Sequence, residues 1–183
     1  MKKVILIHGS PDEKEFYDPS VLSPSNTHWF PWIQKQLALH DILCQCPEFP
    51  QPFDPVYEAW VSVFEQYVVD TETVLVGHSS GGGFLLRYLS EHPNVAPKRV
   101  ILVAPWLDPE KELSTPFFDF VIDTELPVRT DLQVFISSDD EKEILISCER
   151  IREVLPNATY HEFADREHFC TTEFPELLET IEK

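Results

Sequence analysis

The sequence predicts an α/β domain: a mostly parallel sheet of about six strands with helices on both faces. Two observations predict this class. Short apolar runs alternate with longer helix-like stretches along the whole chain, and near-continuous apolar strands mark a sheet buried on both sides. The second observation is the use of glycine. The chain has five glycines, and four of them fall between residues 77 and 83, where a β-type run meets a helical one. Its 183 residues suit one domain, 1–183, with a sizeable core.

Strands are expected at Lys3–Ile7, Ile42–Cys46, Thr73–Val76, Arg99–Val103, Gln133–Ser137 and Thr159–Phe163. Helices are expected at Trp29–His40, Pro55–Val69, Ser80–His92, Lys142–Leu155 and Thr172–Glu182. Trp60, Val61, Phe64, Tyr67 and Val68 share one apolar helix face. Pro93 and Pro97 stop the third helix, and Pro156-Asn157 ends the fourth. Three segments break the pattern. Ser10–His28 reads as a long polar loop with Phe16, Tyr17, Val21 and Leu22 as apolar points. Pro47–Pro55 carries four prolines that enforce an extended path. Trp106–Pro127 contains the cluster Phe117-Phe118-Asp119-Phe120. In an open parallel sheet ligands bind beyond the carboxyl ends of the strands. The first and third segments leave such ends, so they are candidate pocket walls, or else covers for the sheet's edge.

Composition narrows the function classes. Hydrophobic content of 43% and charged content of 25% are those of an ordinary globular protein. A net charge of −18 argues against nucleic-acid partners and anionic membranes. The N-terminus has only the apolar run Val4–Ile7 before His8, shorter than a signal peptide or a membrane span, so a cytosolic, reduced protein is expected. Cys44 and Cys46 are poor disulfide partners at their spacing, and Cys44, Cys46, Cys148 and Cys170 read as buried free thiols. No His-x-x-x-His or Cys-x-x-Cys pattern supports a metal, and no cofactor is expected.

The chemistry is carried by Gly77-His78-Ser79-Ser80-Gly81 between a strand and a helix, the context of a nucleophile elbow. A serine hydroxyl needs a base to take its proton and a third group to orient that base. Ser79 occupies the apex. The base should follow the last strand, where His168 stands; His161 is the runner-up but lies mid-strand. The acid should follow the strand ending at Ser137, where Asp139 and Asp140 are adjacent. Spacing leaves both open, and Asp140 is preferred. The Ser80 amide, at the positive end of a helix, would donate to an oxyanion. A second donor should come from His8-Gly9-Ser10, with the Ser10 amide preferred. Trp106, Phe117 and Phe118 would line an apolar substrate pocket, or else pack the core.

These motifs resemble the small serine hydrolases of the retinoblastoma-binding serine hydrolase and YdeN-like family, within the α/β-hydrolase superfamily. The resemblance rests on His8-Gly9, His28-Trp29-Phe30-Pro31-Trp32, the prolines of 47–55 leading to Trp60, Gly77–Gly82, Ser138-Asp139-Asp140 and His168-Phe169. It implies a compact six-stranded α/β-hydrolase sheet without a separate cap domain. It also implies a Ser79, Asp140 and His168 triad. The chain departs from the family where Glu141 and Glu167 stand in place of a proline and a glycine. The Leu-x-Cys-x-Glu pattern of retinoblastoma-pocket binding is incomplete at Cys44–Glu48, so no protein partner is inferred. The function expected is hydrolysis of a small ester or related acyl substrate through an acyl-serine. The alternative is a non-catalytic binding module on a hydrolase scaffold.

Overall fold

The computed structural model describes residues 2–183. Six strands, β1 (Lys3–Ile7), β2 (Leu43–Gln45), β3 (Thr73–His78), β4 (Arg99–Val103), β5 (Asp131–Ser137) and β6 (Thr159–Phe163), form one sheet in the order β2-β1-β3-β4-β5-β6. Every pairing is parallel. Val4–Ile7, Val74–Val76 and Val100–Val103 are fully buried, as central strands covered on both faces must be. The two edges are weaker: β2 has three residues and β6 is half-buried, and short edges resist stray pairing.

Seven helices cover the sheet: α1 (Glu13–Tyr17), α2 (Phe30–Leu39), α3 (Tyr57–Phe64), α4 (Ser80–Glu91), α5 (Leu126–Arg129), α6 (Lys142–Val154) and α7 (Pro175–Glu182). Strand order and handedness assign their sides. The chain steps outward from β1 to β2, then returns past β1 to β3 and continues to β6. Right-handed crossovers put α2 on one face and α3, α4 and α6 on the other. After β6, α7 packs against α2. Trp60 and Phe64 of α3 meet Phe84 of α4 at ring separations of 5.4 and 5.6 Å. The direction of winding reverses between β1 and β3, and a crevice opens there beyond the strand ends. Gly9 follows one of these strands and Ser79 the other.

The expected strands are all present, with β3 running on to His78 and β5 starting at Asp131. Three local expectations are corrected. Helix α3 stops at Phe64 rather than Val69: Gln66 and Tyr67 donate to carbonyls three residues back, and Val68 turns out to solvent. The segment 10–28 holds a helical turn, α1, whose N-cap Asp12 accepts from the Lys14 amide. Leu126 starts α5, with Pro127 in its first turn, a helix short enough to carry no periodic signal. All four cysteines are free, but only Cys148 is fully buried; Cys44 and Cys46 are half-buried and Cys170 is exposed.

Glycine acts here through clearance. Among the described residues no glycine has positive φ, whereas nine other residues do. A Cβ on Gly81 would lie 2.4 Å from the Ile7 carbonyl oxygen and 2.5 Å from that of His8, and one on Gly77 would lie 2.5 Å from the Gly81 oxygen. These obstacles are backbone, which cannot swing aside. Gly81→Ala is therefore expected to destabilise the fold by about 2 kcal/mol or more, measured by denaturant unfolding; a loss below about 0.5 kcal/mol would mean that α4 can retreat from β1 freely.

Candidate active site

Ser79 sits at φ 54 and ψ −121, in a region strained for any side chain. Its neighbours over-determine that conformation. The Ser79 amide donates to the Val103 carbonyl at 2.9 Å. The Ser79 carbonyl accepts from the amides of Gly82 (3.0 Å), Trp106 (3.1 Å) and Gly83 (3.2 Å). The turn thus lifts the side chain off the edge of β3 while its backbone is tied to β4 and α4.

Of the paired aspartates, Asp140 is the one beside the histidine. His168 Nδ1 lies 3.0 and 3.2 Å from the two Asp140 oxygens, and the Asp140 side chain is fully buried. A carboxylate oxygen is an acceptor, which makes Nδ1 the donating nitrogen of this pair and leaves Nε2 facing away from Asp140. The Glu141 amide also donates to Asp140, at 2.7 Å. Asp139 faces elsewhere. It accepts from Ser137 Oγ at 2.5 Å and from the Glu167 amide at 3.0 Å, while Ser137 Oγ accepts from the Arg166 amide. The Ser137 hydroxyl, first, and these amides hold its carboxyl below the usual range. Asp139 therefore clamps the end of β5 to the segment carrying His168. His161 is on β6, bonded to Gln133 and stacked on Phe135, away from this group.

A cavity of about 700 Å³ opens beside these residues, lined by Gly9, Ser10, His78, Ser79 and His168 among others. Ser79 and His168 share it without a direct hydrogen bond between them. Much of its wall comes from the segment 10–28 with α1. Trp106, Phe117 and Phe118 are not part of it, which corrects the expected pocket. Phe117 is fully buried against Trp60, and Trp106 and Phe118 pack beside Gly83 behind α4, where Trp106 Nε1 donates to Glu143. Their apolar character serves the core.

The Ser80 and Ser10 hydroxyls hydrogen-bond each other at 2.8 Å, so the loop after β1 is tied to the first residue of α4. No sequence signal marks this link, which joins residues 70 positions apart. Two further histidines hold the frame. The Phe49 amide donates to His8 Nε2 at 3.0 Å, so His8 is neutral and its Nδ1–H donates to the Gly9 carbonyl at 2.8 Å. His78, the variable residue of the elbow, donates from Nε2 to the His168 carbonyl at 2.9 Å. Burial lowers the pKa of both, and that of His78 strongly.

Burial pushes the Cys44 and Cys148 thiols up to about 12, and the Cys170 thiol, on an exposed residue of the cavity wall, is pushed up to about 11 by its own partial enclosure and the nearby carboxylates of Asp140, Glu141 and Glu167. Glu110, Glu112 and Glu143 bring three carboxylates together, two of them exposed, but none lines the cavity and Lys142 pairs with Glu110 at 3.3 Å.

A strained serine and a carboxylate-bound histidine thus share one cavity at the switch point of a parallel sheet. A family model described as "Serine hydrolase" matches residues 21–154. The chain belongs to this family. It is 27% identical over 176 residues to the serine hydrolase RBBP9 of Rattus norvegicus, covering 88% of this chain and 92% of that one. To the putative hydrolase YdeN of Bacillus subtilis it is 34% identical over 93 residues, half of this chain and 43% of that one. The crystal structure of the B. subtilis ydeN product superposes with a TM-score of 0.83 at 24% identity, covering 100% of this chain and 97% of that one. The fold is that of the α/β hydrolases. It extends to Est1E of Butyrivibrio proteoclasticus, solved with ferulic acid, at a TM-score of 0.66 and 14% identity over 99% of this chain and 86% of that one. Among the described residues of this serine hydrolase no helix is long and apolar enough to cross a membrane.

The buried neutral histidines predict a pH dependence. A folded-state pKa below the unfolded value of about 6.5 means that the unfolded chain binds more protons as pH falls, so stability present above that value is lost below it. Unfolding free energy should drop on going from about pH 7 to about pH 5, by up to about 1.4 kcal/mol per pH unit for each such histidine. His78→Leu should remove part of that slope and lower stability at neutral pH by about 1–3 kcal/mol, because the His168 carbonyl would keep only the long Cys170 Sγ contact at 3.7 Å. Denaturant titrations across this range check both; a slope that His78→Leu leaves intact assigns the protons elsewhere.

Proposed function

We propose that this serine hydrolase cleaves a small ester or related acyl substrate through an acyl-Ser79 intermediate. Ser79 Oγ attacks the carbonyl carbon while His168 Nε2 takes its proton, and the resulting imidazolium returns that proton to the leaving alcohol. Water, deprotonated by the same nitrogen, then releases the acid and restores Ser79. Asp140 orients the imidazole and balances its charge. The Ser80 and Ser10 amides, both without an acceptor among the described residues, are the donors for the tetrahedral oxyanion.

The observation that carries this reading is the His168 Nδ1–Asp140 contact at 3.0 Å beside the strained Ser79. It supports the tautomer that acid–base transfer at Nε2 requires. The open Ser79–His168 approach is compatible with it, because catalytic contacts of this kind tighten when substrate binds.

A fluorophosphonate probe should label the wild-type protein, and Ser79→Ala should abolish labelling. No wild-type labelling, or equal labelling of the variant, excludes Ser79 as nucleophile. Asp140→Asn should lower kcat on a short-chain aryl ester by about 10²–10⁴. Asp139→Asn should lower the melting temperature with a much smaller loss of kcat. A larger kcat loss in the Asp139 variant would exchange the two roles.

A further inference from the structure

The link between Ser10 and Ser80 has a direction that its geometry leaves open and burial decides. The two hydroxyl oxygens lie 2.8 Å apart, and either can donate. Ser80 is fully buried and stands outside the cavity lining. Among the described residues its hydroxyl has no other hydrogen-bond partner. Ser10 is half-buried and lines the cavity with Gly9 and Ser79. A hydroxyl carries one proton and two acceptor lone pairs. Were Ser10 the donor, the Ser80 proton would be shut in the interior without an acceptor, at the full cost of desolvating it. Ser80 therefore donates and Ser10 accepts. The free proton of the pair sits on the hydroxyl that borders the cavity.

The residue carrying that proton is closely constrained. A Cβ on Gly9 would lie 2.9 Å from Ser79 Cβ, so the chain entering Ser10 runs directly against the nucleophile. The Gly9 carbonyl accepts from His8 Nδ1 at 2.8 Å. In a trans peptide this turns the Ser10 amide to the opposite side. Pro11, next in the chain, has no amide proton to offer. Ser10 is thus held on its backbone side by His8 and at its side chain by Ser80. Donors fixed before a substrate arrives cost no reorganisation when charge develops.

We propose that the Ser10 hydroxyl, oriented by Ser80, is a third donor to the oxyanion formed in the Ser79 reaction. When Ser79 Oγ bonds to the carbonyl carbon, the π pair of the carbonyl moves onto its oxygen. The Ser10 hydroxyl keeps its proton and hydrogen-bonds that oxygen alongside the two amides, until the carbonyl re-forms and the alcohol leaves. Ser10 is then a catalytic residue through its side chain, and Ser80 a positioning residue through its hydroxyl. The proposal rests on the acyl-Ser79 reading and adds a side-chain donor to it.

The test separates the donor from the link. Ser80→Ala breaks the link and keeps the Ser10 hydroxyl, whereas Ser10→Ala removes both and keeps the Ser10 amide. Turnover of a short-chain aryl ester by the full-length protein is normalised to Ser79 sites titrated with the fluorophosphonate probe, so unfolded protein does not count as lost rate. Ser10→Ala should lower kcat by about 10²–10³ with KM within about threefold of wild type. A trifluoromethyl ketone, which adds to Ser79 as a tetrahedral oxyanion, should bind more weakly by the same factor as kcat/KM. Ser80→Ala should lose at least about tenfold less than Ser10→Ala, and Ser10→Thr, which keeps a hydroxyl, should stay within about tenfold of wild type. Three results overturn the third donor while Ser79 chemistry stands: equal losses in Ser10→Ala and Ser80→Ala, a loss below about threefold in Ser10→Ala, or a Thr variant as slow as the Ala variant. No wild-type turnover together with no labelling of Ser79 overturns the hydrolase reading, and this proposal with it.

Discussion

Everything at the carboxyl edge of the sheet depends on how closely α4 approaches β1 and β3. The helix starts within van der Waals reach of the Ile7 and His8 carbonyls because Gly81 has no side chain. That approach places Ser80 beside Ser10 and leaves Ser79 as the joint between strand and helix. The cost of the joint is a serine at φ 54, of order 1–3 kcal/mol for a residue held in such a region. It is offset by four backbone hydrogen bonds to that one residue, each worth about 1 kcal/mol net. The turn persists because α4 is anchored further along by Phe84, buried among Trp60, Phe49 and Phe64. The core on one face of the sheet therefore sets the position of a polar group at its end.

The sheet was legible in the sequence because parallel strands buried on both sides leave dense apolar runs, such as Val4–Ile7 and Val100–Val103. The long helices were legible for a related reason, with ends marked by Pro93 and Pro156. What escaped were elements too short to repeat a period, α1 and α5, and the early end of α3. There Val68 fits a helical stripe by spacing yet points to solvent, since loop geometry rather than periodicity governs residues 65–69.

At the site the pattern was similar. Ser79, Asp140 and His168 follow the ends of β3, β5 and β6, where topology concentrates chemistry, and the choice between Asp139 and Asp140 turns on side-chain direction, which spacing does not encode. The pocket wall was the larger surprise. Phe117 and Phe118 look like a binding surface in one dimension, but apolar residues after β4 are equally what α4 needs for packing. The polar segment 10–28 supplies the wall instead. Its signal was its place after the carboxyl end of the first strand, which it shared with the segment after β4. The Ser10–Ser80 link and the neutral states of His8 and His78 are contacts between residues remote in the chain, visible only once the strands are brought side by side.

The loop that carries His168 is held at three points, none of which involves its imidazole. Asp139 takes the Glu167 amide, Ser137 takes the Arg166 amide, and His78 donates to the His168 carbonyl. The imidazole itself hydrogen-bonds to Asp140 and packs against the His78 ring at 4.8 Å. Scaffold and reactivity are thus decoupled at this corner of the molecule. Glu167 is held at φ 46, in the left-handed region, because the first of these ties pins its amide. A change at Asp140 would therefore remove the imidazole's hydrogen-bond partner without redrawing the backbone around the histidine.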